Sequence, residues 1–372
     1  MKIALIQDWL TELGGAEKVF KQLYSLYPNA DIFTLVYSKD VLEKLEISED
    51  KVKASWIQKL PFSETKYRNY LPFFSHAIES FDLSSYDLII SSSYCVAKGV
   101  LVNSSQMHIC YCHSPVRYAW DLYHQYLKES GLEKGFKSVL VKYVLHKLRI
   151  WDVASVNRVD HFISNSDYIG KRIKKIYNRD AKTIYPPINV DDFEFTKNKK
   201  DFYFTCSRMV PYKKIDLIVE AFSKMPQKKL VVVGMGPDYK KIKKISTSNI
   251  TLMGYQSFSV LKKYMENAKA FVFAAEEDFG IVPLEAQACG TPVIAYGKGG
   301  SLETVVNNET GIYFYEQTSS SIVDAISRFE ELENKLDYDK IRNHAEKFSE
   351  ERFKKEIREY VAEKYSDFVK NK

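Results

Sequence analysis

The chain has no apolar run close to the roughly 20 residues that a membrane-spanning helix needs. Its first apolar stretch, residues 3–6, is interrupted by Gln7-Asp8 and is too short for a secretory signal. Cysteines are few: there are five, an odd number, and no two have the two-residue gap of a zinc or redox site. These absences predict an intracellular, soluble protein with buried free thiols and without a disulfide framework.

Arginine is also scarce, with 11 residues against 43 lysines, and neither a solenoid repeat nor a low-complexity tract occurs. Apolar residues make up 45% of the chain and charged residues 27%, which are values of a globular protein. A length of 372 residues predicts two domains or three. The net charge of +6 is concentrated in residues 122–182, the basic segment, which has 13 Lys or Arg and 6 Asp or Glu. Such a segment favours an anionic partner.

Short apolar runs alternate with segments of helical period, which is typical of parallel sheets buried on both faces. The predicted strands of the first half are 3–6, 32–37, 88–91, 107–111, 161–163 and 183–185, and those of the second half are 202–206, 230–233, 250–253, 270–274 and 292–296. We therefore predict an α/β protein with two Rossmann-like, doubly wound domains facing an interdomain cleft. The proline pair Pro186-Pro187 separates a domain of residues 1–187 from one of residues 188–350. Helices end the chain, and we expect the last, about 351–372, to rejoin the first domain.

Ligands of such sheets bind outside the carboxyl ends of the strands, and three motifs follow predicted strands. The first is Gly14-Gly15, before a helix whose free N–H groups suit a phosphate, although a plain turn is an equal alternative. The second contains Arg208 and Lys213, which suit a diphosphate as a bidentate donor and a point charge. The alternative for this motif is a solvated basic loop.

The most specific motif is the third, residues 277–286, with Glu277 and Glu285 eight positions apart and Gly280 where a loop turns into a helix. Consecutive backbone N–H groups at such a turn can bind an anion. The first carboxylate can accept hydrogen bonds from sugar hydroxyls, and the second, on the helix, can reach a ribose. The alternative is that Glu277 and Asp278 are ordinary acids at a helix N-terminus.

Together these motifs resemble those of the family 4 glycosyltransferases, retaining enzymes with the two-domain GT-B fold. The paired glutamates, the segment 207–214, the stretch 290–295 and Gly299-Gly300 carry the likeness. The stretch 112–121 further resembles a subgroup of O-antigen and capsule mannosyltransferases that use GDP-mannose. Ser207 and Lys214 depart from the family, which usually has glycine at both places.

The resemblance implies a role for each motif residue. Arg208 and Lys213 would hold the donor diphosphate, and Glu277 would act at the donor sugar. The amides of Phe279, Gly280 and Ile281 would bind sugar and phosphate, and Glu285 the ribose. Gly14 and Gly15 would contact phosphate or acceptor, and Tyr255 would lie near the base. His113, at a strand end, would hydrogen-bond the reacting sugar as a second catalytic residue, although a lone histidine is more often structural.

The basic segment includes residues 134–151, whose apolar and basic side chains alternate at nearly helical spacing. The apolar ones are Phe136, Leu140, Tyr143, Val144, Leu148 and Trp151, and the basic ones are Lys137, Lys142, Lys147 and Arg149. A second basic cluster is residues 171–175. One interpretation is a surface resting on anionic lipid beside a lipid-linked acceptor. The other is a core helix with a solvated lysine face. The aromatic residues between positions 62 and 74 suit either acceptor docking or packing.

We therefore expect a retaining hexosyltransferase of surface-polysaccharide synthesis (O-antigen, capsule or exopolysaccharide), cytoplasmic and peripheral on the inner face of the plasma membrane. Its partners would be a nucleotide sugar, preferably GDP-mannose with UDP-hexoses second, and a lipid-linked saccharide. No cofactor, metal or nucleic acid is expected, since no His/Cys cluster and no RNA-binding signature occurs. The alternatives are another GT-B enzyme, such as a sugar-nucleotide epimerase or a phosphorylase, and a non-enzymatic binder of sugar nucleotides or nucleic acid.

Overall fold

Strands and helices alternate along the chain, and the computed structural model describes all of residues 1–372. They form two units, Met1–Pro186 with Phe353–Lys372, and Pro187–Arg352, here called unit 1 and unit 2. Each unit is built on a sheet in which every strand pairing is parallel. The α/β class with two doubly wound sheets is therefore confirmed.

Unit 1 has seven strands in the order β3-β2-β1-β4-β5-β6-β7. The strands are β1 (Ile3–Gln7), β2 (Asp31–Thr34), β3 (Val52–Ala54), β4 (Leu88–Ser93), β5 (Met107–Cys112), β6 (His161–Ser164) and β7 (Ala181–Thr183). The helices are α1 (Gly15–Leu26), α2 (Lys39–Leu45), α3 (Ser63–Lys66), α4 (Phe74–Glu79), α5 (Tyr123–Glu129), α6 (Phe136–Ala154) and α7 (Asp167–Tyr177). The order of strands reverses between β1 and β4, so the expected ligand position lies at the carboxyl ends of these two strands.

Unit 2 has six strands in the order β10-β9-β8-β11-β12-β13 and reverses between β8 and β11. The strands are β8 (Lys200–Cys206), β9 (Leu230–Val233), β10 (Ile250–Leu252), β11 (Ala268–Phe273), β12 (Val293–Tyr296) and β13 (Gly311–Phe314). The helices are α8 (Ile215–Ser223), α9 (Tyr239–Ile245), α10 (Phe258–Asn267), α11 (Ile281–Ala288), α12 (Ser301–Thr304), α13 (Ser319–Leu332) and α14 (Tyr338–Glu346). The last helix, α15 (Glu350–Lys370), belongs to unit 1 from Phe353 onward.

Helix α15 begins at the end of unit 2 and packs on unit 1. Phe353, Ile357 and Val361 recur every fourth residue, are at most 3% exposed, and lie in the core formed by α1, β1 and β5. A four-residue spacing places all three on one side of the helix. Tyr360, Tyr365 and Phe368 pack beside them against the same core, and most of the charged residues of α15 lie on its other side, so the helix forms as an amphipathic element.

Two strands were not predicted, and one was misplaced. β3 is a half-exposed edge strand of three residues without an apolar run, and β13 begins at Gly311, where a Cβ would collide with the carbonyl oxygen of Val293 on β12. The prediction of a strand over residues 183–185 was wrong: β7 is Ala181–Thr183, because its pairing with β6 ends at Ser164↔Thr183. The apolar residues that suggested the later position lie beyond this pairing.

Candidate functional site

Two of the predicted residues flank the reversal point of the unit 2 sheet. Arg208 follows β8 and is exposed, and Glu277 follows β11. Lys213, in a 3₁₀ turn before α8, forms an ion pair with Glu277 through its ammonium group. The side chains of Lys213 and Glu277 are 21% and 17% exposed. The structure thus brings Lys213, predicted to bind the diphosphate, into contact with Glu277, predicted to bind the sugar.

Glycine holds the Arg208 loop against the neighbouring loop after β9. Gly234 has φ +140°, and a Cβ on it would collide with the carbonyl oxygen of Ser207. The two loops are joined by hydrogen bonds from the Ser207 N–H to the Val233 oxygen (3.1 Å) and from the Met209 N–H to the Met235 oxygen (2.9 Å). Sequence reasoning gave the glycines of residues 234–236 no role, because their function is close backbone approach, which only the fold reveals.

A second glycine pair supports the loop that carries Glu277. Gly299 has φ +69°, and a Cβ on it would lie 2.6 Å from the carbonyl oxygen of Glu277, which accepts the Gly300 N–H at 2.8 Å. The adjacent Glu276 pairs with Lys298 at 3.1 Å. The loop after β12 therefore fixes the position of both carboxylates.

Helix α11 follows this loop and begins at Ile281 after Gly280, whose φ of +90° suits glycine. Phe279 is buried, with its ring 5.9 Å from that of Phe348, so this residue can offer only its backbone to a ligand. Glu277 and Asp278 precede the helix, and its first turn contains no acid. Both acids therefore lie before the N-cap Gly280 and outside the first helical turn.

Glu285 and Tyr255 have opposite surroundings. Glu285 lies on α11, is 6% exposed, and is near Cys206 at the end of β8. Burial, and then the Glu285 charge, raise the pKa of that thiol. Tyr255 is 82% exposed beside Gly254, whose carbonyl oxygen accepts the Gly234 N–H at 2.8 Å. Exposed Met235 lies near Gly254, so the three strand ends β8, β9 and β10 present adjoining loops.

Lys214 occupies a backbone position suited to glycine. It has φ +56° and ψ +30°, in the left-handed region, directly after Lys213. The departure from the family pattern at this position therefore places a lysine where the backbone favours glycine.

In unit 1, His113 follows β5 and is 8% exposed. Its Nε2 lies 2.8 Å from the Ser92 hydroxyl, and its ring packs on Tyr94 and Tyr111 with centroid distances of 5.9 and 5.1 Å. Burial lowers the pKa of His113 to about 3, so the imidazole is neutral at pH 7.

Gly14 is the N-cap of α1, which Gly15 begins, and its N–H donates to Glu17 at 2.9 Å. Glu17 is 5% exposed and also accepts from the Tyr94 hydroxyl at 3.0 Å and from Gln7 Nε2 at 3.3 Å. Burial raises the pKa of Glu17 to about 6. Sequence reasoning gave Glu17 no role of its own, because two of its partners, Gln7 and Tyr94, lie 10 and 77 residues away in the chain.

The basic segment does not form one free cationic surface. Arg172 pairs with Asp121 and donates to Ser114 (2.9 Å), and Lys174 pairs with Asp180 at 2.9 Å. On α6, Leu145 and Leu148 point inward and Trp151 is half-buried, whereas Phe136, Leu140 and Tyr143 are exposed. Helix α6 thus has the buried face and the surface lysines of the core-helix interpretation, and in addition it exposes apolar side chains.

The aromatic segment between positions 62 and 74 mostly packs. Tyr67 and Phe74 lie in the unit 1 core against Trp9, with ring centroids 4.9 and 6.0 Å from it. Phe62 and Phe73 are 71% and 50% exposed.

No group of three or more His, Cys, Asp or Glu side chains is arranged to hold a metal ion. The aspartates of residues 337–339 belong to a helix start, where Asp337 accepts the N–H of Asp339 at 3.0 Å. None of the helices combines the length and the apolar character needed to span a membrane.

Residues 188–352 match the family described as Glycosyl transferases group 1. The O-antigen chain mannosyltransferase RfbU of Salmonella typhimurium is 27% identical over 207 residues, which are 50% of this chain and 59% of that protein. A GDP-mannose-dependent phosphatidylinositol monomannoside mannosyltransferase of Mycobacterium tuberculosis is 31% identical over 138 residues, 32% of this chain and 36% of that protein. The chain thus spans about half the length of the curated relatives it matches.

Among solved structures, Anabaena HepE in complex with UDP superposes with a TM-score of 0.72 at 17% identity, covering 98% of this chain and all of that one. The likeness confirms the GT-B fold expected from the sequence.

Proposed function

We propose that this chain, whose residues 188–352 form a glycosyl transferases group 1 domain on a GT-B fold, is a retaining glycosyltransferase. It moves a hexose from a nucleoside diphosphate sugar to a lipid-linked saccharide. The observation that carries the proposal is the contact between Lys213 and Glu277 at the reversal point of the unit 2 sheet, after the strand end that Arg208 follows. There a cation suited to a diphosphate adjoins a carboxylate suited to sugar hydroxyls.

In this proposal Arg208 and Lys213 bind the donor diphosphate and stabilise the charge that develops as the sugar–phosphate bond breaks. Glu277 releases Lys213 and accepts hydrogen bonds from the sugar. The amides at the start of α11, from Phe279 to Ile281, bind the same groups, since Gly280 turns the backbone there. Glu285 receives the ribose hydroxyls, and Tyr255 lies beside the base.

Within unit 1, the proposal gives roles to His113 and to the Gly14-Gly15 loop. As a neutral imidazole, His113 can exchange one hydrogen bond with a sugar hydroxyl through Nδ1, while Ser92 holds Nε2. It does not act as a charged acid at pH 7. The diphosphate oxygen that leaves the sugar takes the acceptor proton, so no further protein base is required.

GDP-mannose is the proposed donor, because relatives with this or a similar activity in their names match the chain. A UDP-hexose is the second candidate, since HepE binds UDP and UDP-glucose on the same fold. We further propose a metal-independent reaction in which Arg208 and Lys213 meet the phosphate charge, at the cytoplasmic face of a membrane during surface-polysaccharide synthesis. Retained activity in the presence of EDTA would support metal independence. NMR of the anomeric configuration of the product tests whether the reaction is retaining.

The donor is tested by thermal shift with GDP, UDP, ADP and their sugars. A ligand stabilises the protein by RT ln(1 + [L]/Kd), so the tightest ligand raises Tm most at equal concentration. Transfer is then tested with labelled donor and polyprenyl-diphosphate-linked saccharides. Arg208→Ala and Glu277→Ala should abolish transfer with an unchanged far-UV spectrum, and the exposed Lys240→Ala is the control. Full activity in both variants would refute the assignment, and epimerised donor without transfer would indicate a sugar-nucleotide epimerase.

A further inference from the structure

Helix α6 has an outer face that its own unit leaves uncovered. The 19-residue helix buries Ser138, Leu145, Leu148 and Asp152. On the outside it exposes six apolar side chains, here called the α6 stripe: Phe136 (89%), Val139 (66%), Leu140 (58%), Tyr143 (57%), Ile150 (53%) and Val153 (43%). Their spacing of three, four and seven residues places them on one side of the helix.

The first half of α6 is the most exposed part. Between Phe136 and Val144 only Ser138 is buried. Soluble monomers rarely expose a contiguous apolar surface of this kind without a partner. The stripe is therefore an interaction surface rather than part of the core.

The charges of α6 indicate which partner fits. The surface of the helix carries Lys137, Lys142 and Lys147, of which Lys142 also donates to the Glu133 carbonyl oxygen at 3.0 Å. Arg149 is half-buried and donates to the Ala119 carbonyl oxygen at 2.9 Å, so it faces unit 1. The one acid of the helix, Asp152, is buried and paired with Lys98 at 2.9 Å. Lys147 Nζ lies 5.6 Å from the centre of the Tyr143 ring, so a cation borders the stripe directly. The outer face of α6 is thus apolar and positive, with no negative side chain.

A second copy of this chain fits the stripe poorly. In a twofold dimer the same patch meets itself, so the lysines of α6 would approach the same lysines without an acid between them. Anionic lipid offers the opposite: headgroups for the lysines and acyl chains for the stripe. At about 1.5 Å per residue the helix is about 28 Å long and would lie in the plane of the interface.

We propose that α6 binds the surface of an anionic lipid bilayer, with the α6 stripe at the headgroup–acyl boundary and its lysines at the lipid phosphates. This inference rests on the proposed function and extends it, because it names the surface of the protein that contacts the membrane carrying the acceptor. The inner face of α6 holds the helix to unit 1, because Asp152 also accepts from Trp120 (2.8 Å) and Tyr177 (2.9 Å).

The test is cosedimentation of the full chain with vesicles of phosphatidylcholine containing 30% phosphatidylglycerol, and with pure phosphatidylcholine vesicles. We expect binding to the first, weaker binding at high salt, and little binding to the second. The triple variant Phe136→Ser, Leu140→Ser, Tyr143→Ser should reduce partitioning at least tenfold. Lys137→Gln should reduce it about fivefold, the effect of one lysine near such a surface.

Matched controls are Leu101→Ser, an apolar residue of unit 1 that is 49% exposed, and Lys240→Gln, an exposed lysine of unit 2 outside the basic segment. Both should bind as the wild type does. Equal vesicle binding by the wild type and the triple variant would overturn the inference. So would a wild-type dimer that the triple variant converts to monomer without loss of vesicle binding, since the stripe would then join two copies.

The failure of this inference is distinguishable from failure of the proposed function. Vesicle binding needs neither donor nor acceptor. The thermal shift produced by GDP should be the same in the triple variant and the wild type, because α6 lies outside the donor-binding residues. Loss of the shift in the wild type would refute the donor assignment and leave the vesicle result standing.

Discussion

The ion pair between Lys213 and Glu277 competes with the proposed donor for both of its members. The diphosphate needs the Lys213 ammonium and the sugar needs the Glu277 carboxylate, so binding must exchange the pair for two contacts with the ligand. Replacing Glu277 with glutamine keeps the shape and removes the charge. We therefore expect Glu277→Gln to bind the free nucleoside diphosphate more tightly than the wild type does.

The size of the effect follows from the surroundings of the pair. Hydrogen bonds to charged groups contribute about 1.5–3 kcal/mol, and the lower value suits side chains that are 21% and 17% exposed. Release of Lys213 should thus favour the diphosphate by about 1.5 kcal/mol, or about tenfold in Kd. For the nucleotide sugar this gain is offset, because hydrogen bonds to a neutral amide are about half as strong as those to a carboxylate.

Isothermal titration calorimetry with GDP and GDP-mannose measures both affinities. The Kd for GDP should fall about tenfold, the Kd for GDP-mannose should stay nearly constant, and the preference for the sugar-bearing ligand should fall about tenfold. The control is Glu276→Gln, which removes the neighbouring carboxylate that pairs with Lys298 and should change neither Kd.

If Glu277→Gln bound GDP and GDP-mannose more weakly by the same factor, this reasoning would be refuted, because Glu277 would then act by maintaining the conformation of the loop. If GDP affinity stayed unchanged while sugar affinity fell, Glu277 would contact the sugar without restraining Lys213.

Three further predictions concern stability, each measured by chemical denaturation. The pKa of Glu17 is about 6, above its ordinary 4.5, so the contribution of protonated Glu17 to the free energy of unfolding is fully present below pH 4.5 and is lost as the pH rises through 6. Glu17→Gln should therefore remove a decrease of about 2 kcal/mol in the free energy of unfolding over this pH range. An unchanged pH profile of stability in this variant would contradict the assignment. Lys98→Met should destabilise the protein by about 3–5 kcal/mol because it leaves buried Asp152 without its cation, and a loss as small as that of the exposed control Lys171→Met would contradict the pairing. Lys214→Gly should stabilise by up to about 1 kcal/mol, since relief of a left-handed backbone outweighs the added entropy of the unfolded chain, and a loss above about 1 kcal/mol would show that the lysine side chain is needed.

The fold and the motif positions could be predicted because they depend on local patterns. Continuous apolar runs indicate parallel strands, and motifs after strands lie at one edge of the sheet. Arg208, Lys213 and Glu277 were predicted in this way, and the contact between Lys213 and Glu277 follows from the order β8-β11. The strand β3 could not be predicted, since a three-residue edge strand has no pattern of its own.

Other features depend on contacts between distant parts of the chain. Glu17 becomes a buried acid because Gln7 and Tyr94, 10 and 77 residues away, close around it. The buried pair of Lys98 and Asp152 likewise joins residues 54 positions apart. Helix α6 has apolar residues on two faces, and spacing alone does not decide which face the core covers. The structure decides this by placing Leu145 and Leu148 inside.

Two buried titratable residues of unit 1, His113 and Glu17, differ in how they respond to pH. Burial gives His113 a pKa of about 3, so it keeps one protonation state across the range in which the protein would work. Glu17 accepts a hydrogen bond from Tyr94, whose ring packs on His113, and the pKa of Glu17 is about 6. The hydrogen bond that Glu17 accepts from the Gly14 N–H is strongest when the carboxylate is ionised. A pH dependence of activity near 6 would thus arise from the Gly14 loop rather than from the imidazole. This assignment makes His113 a fixed hydrogen-bonding group and Glu17 the titrating group that positions the loop.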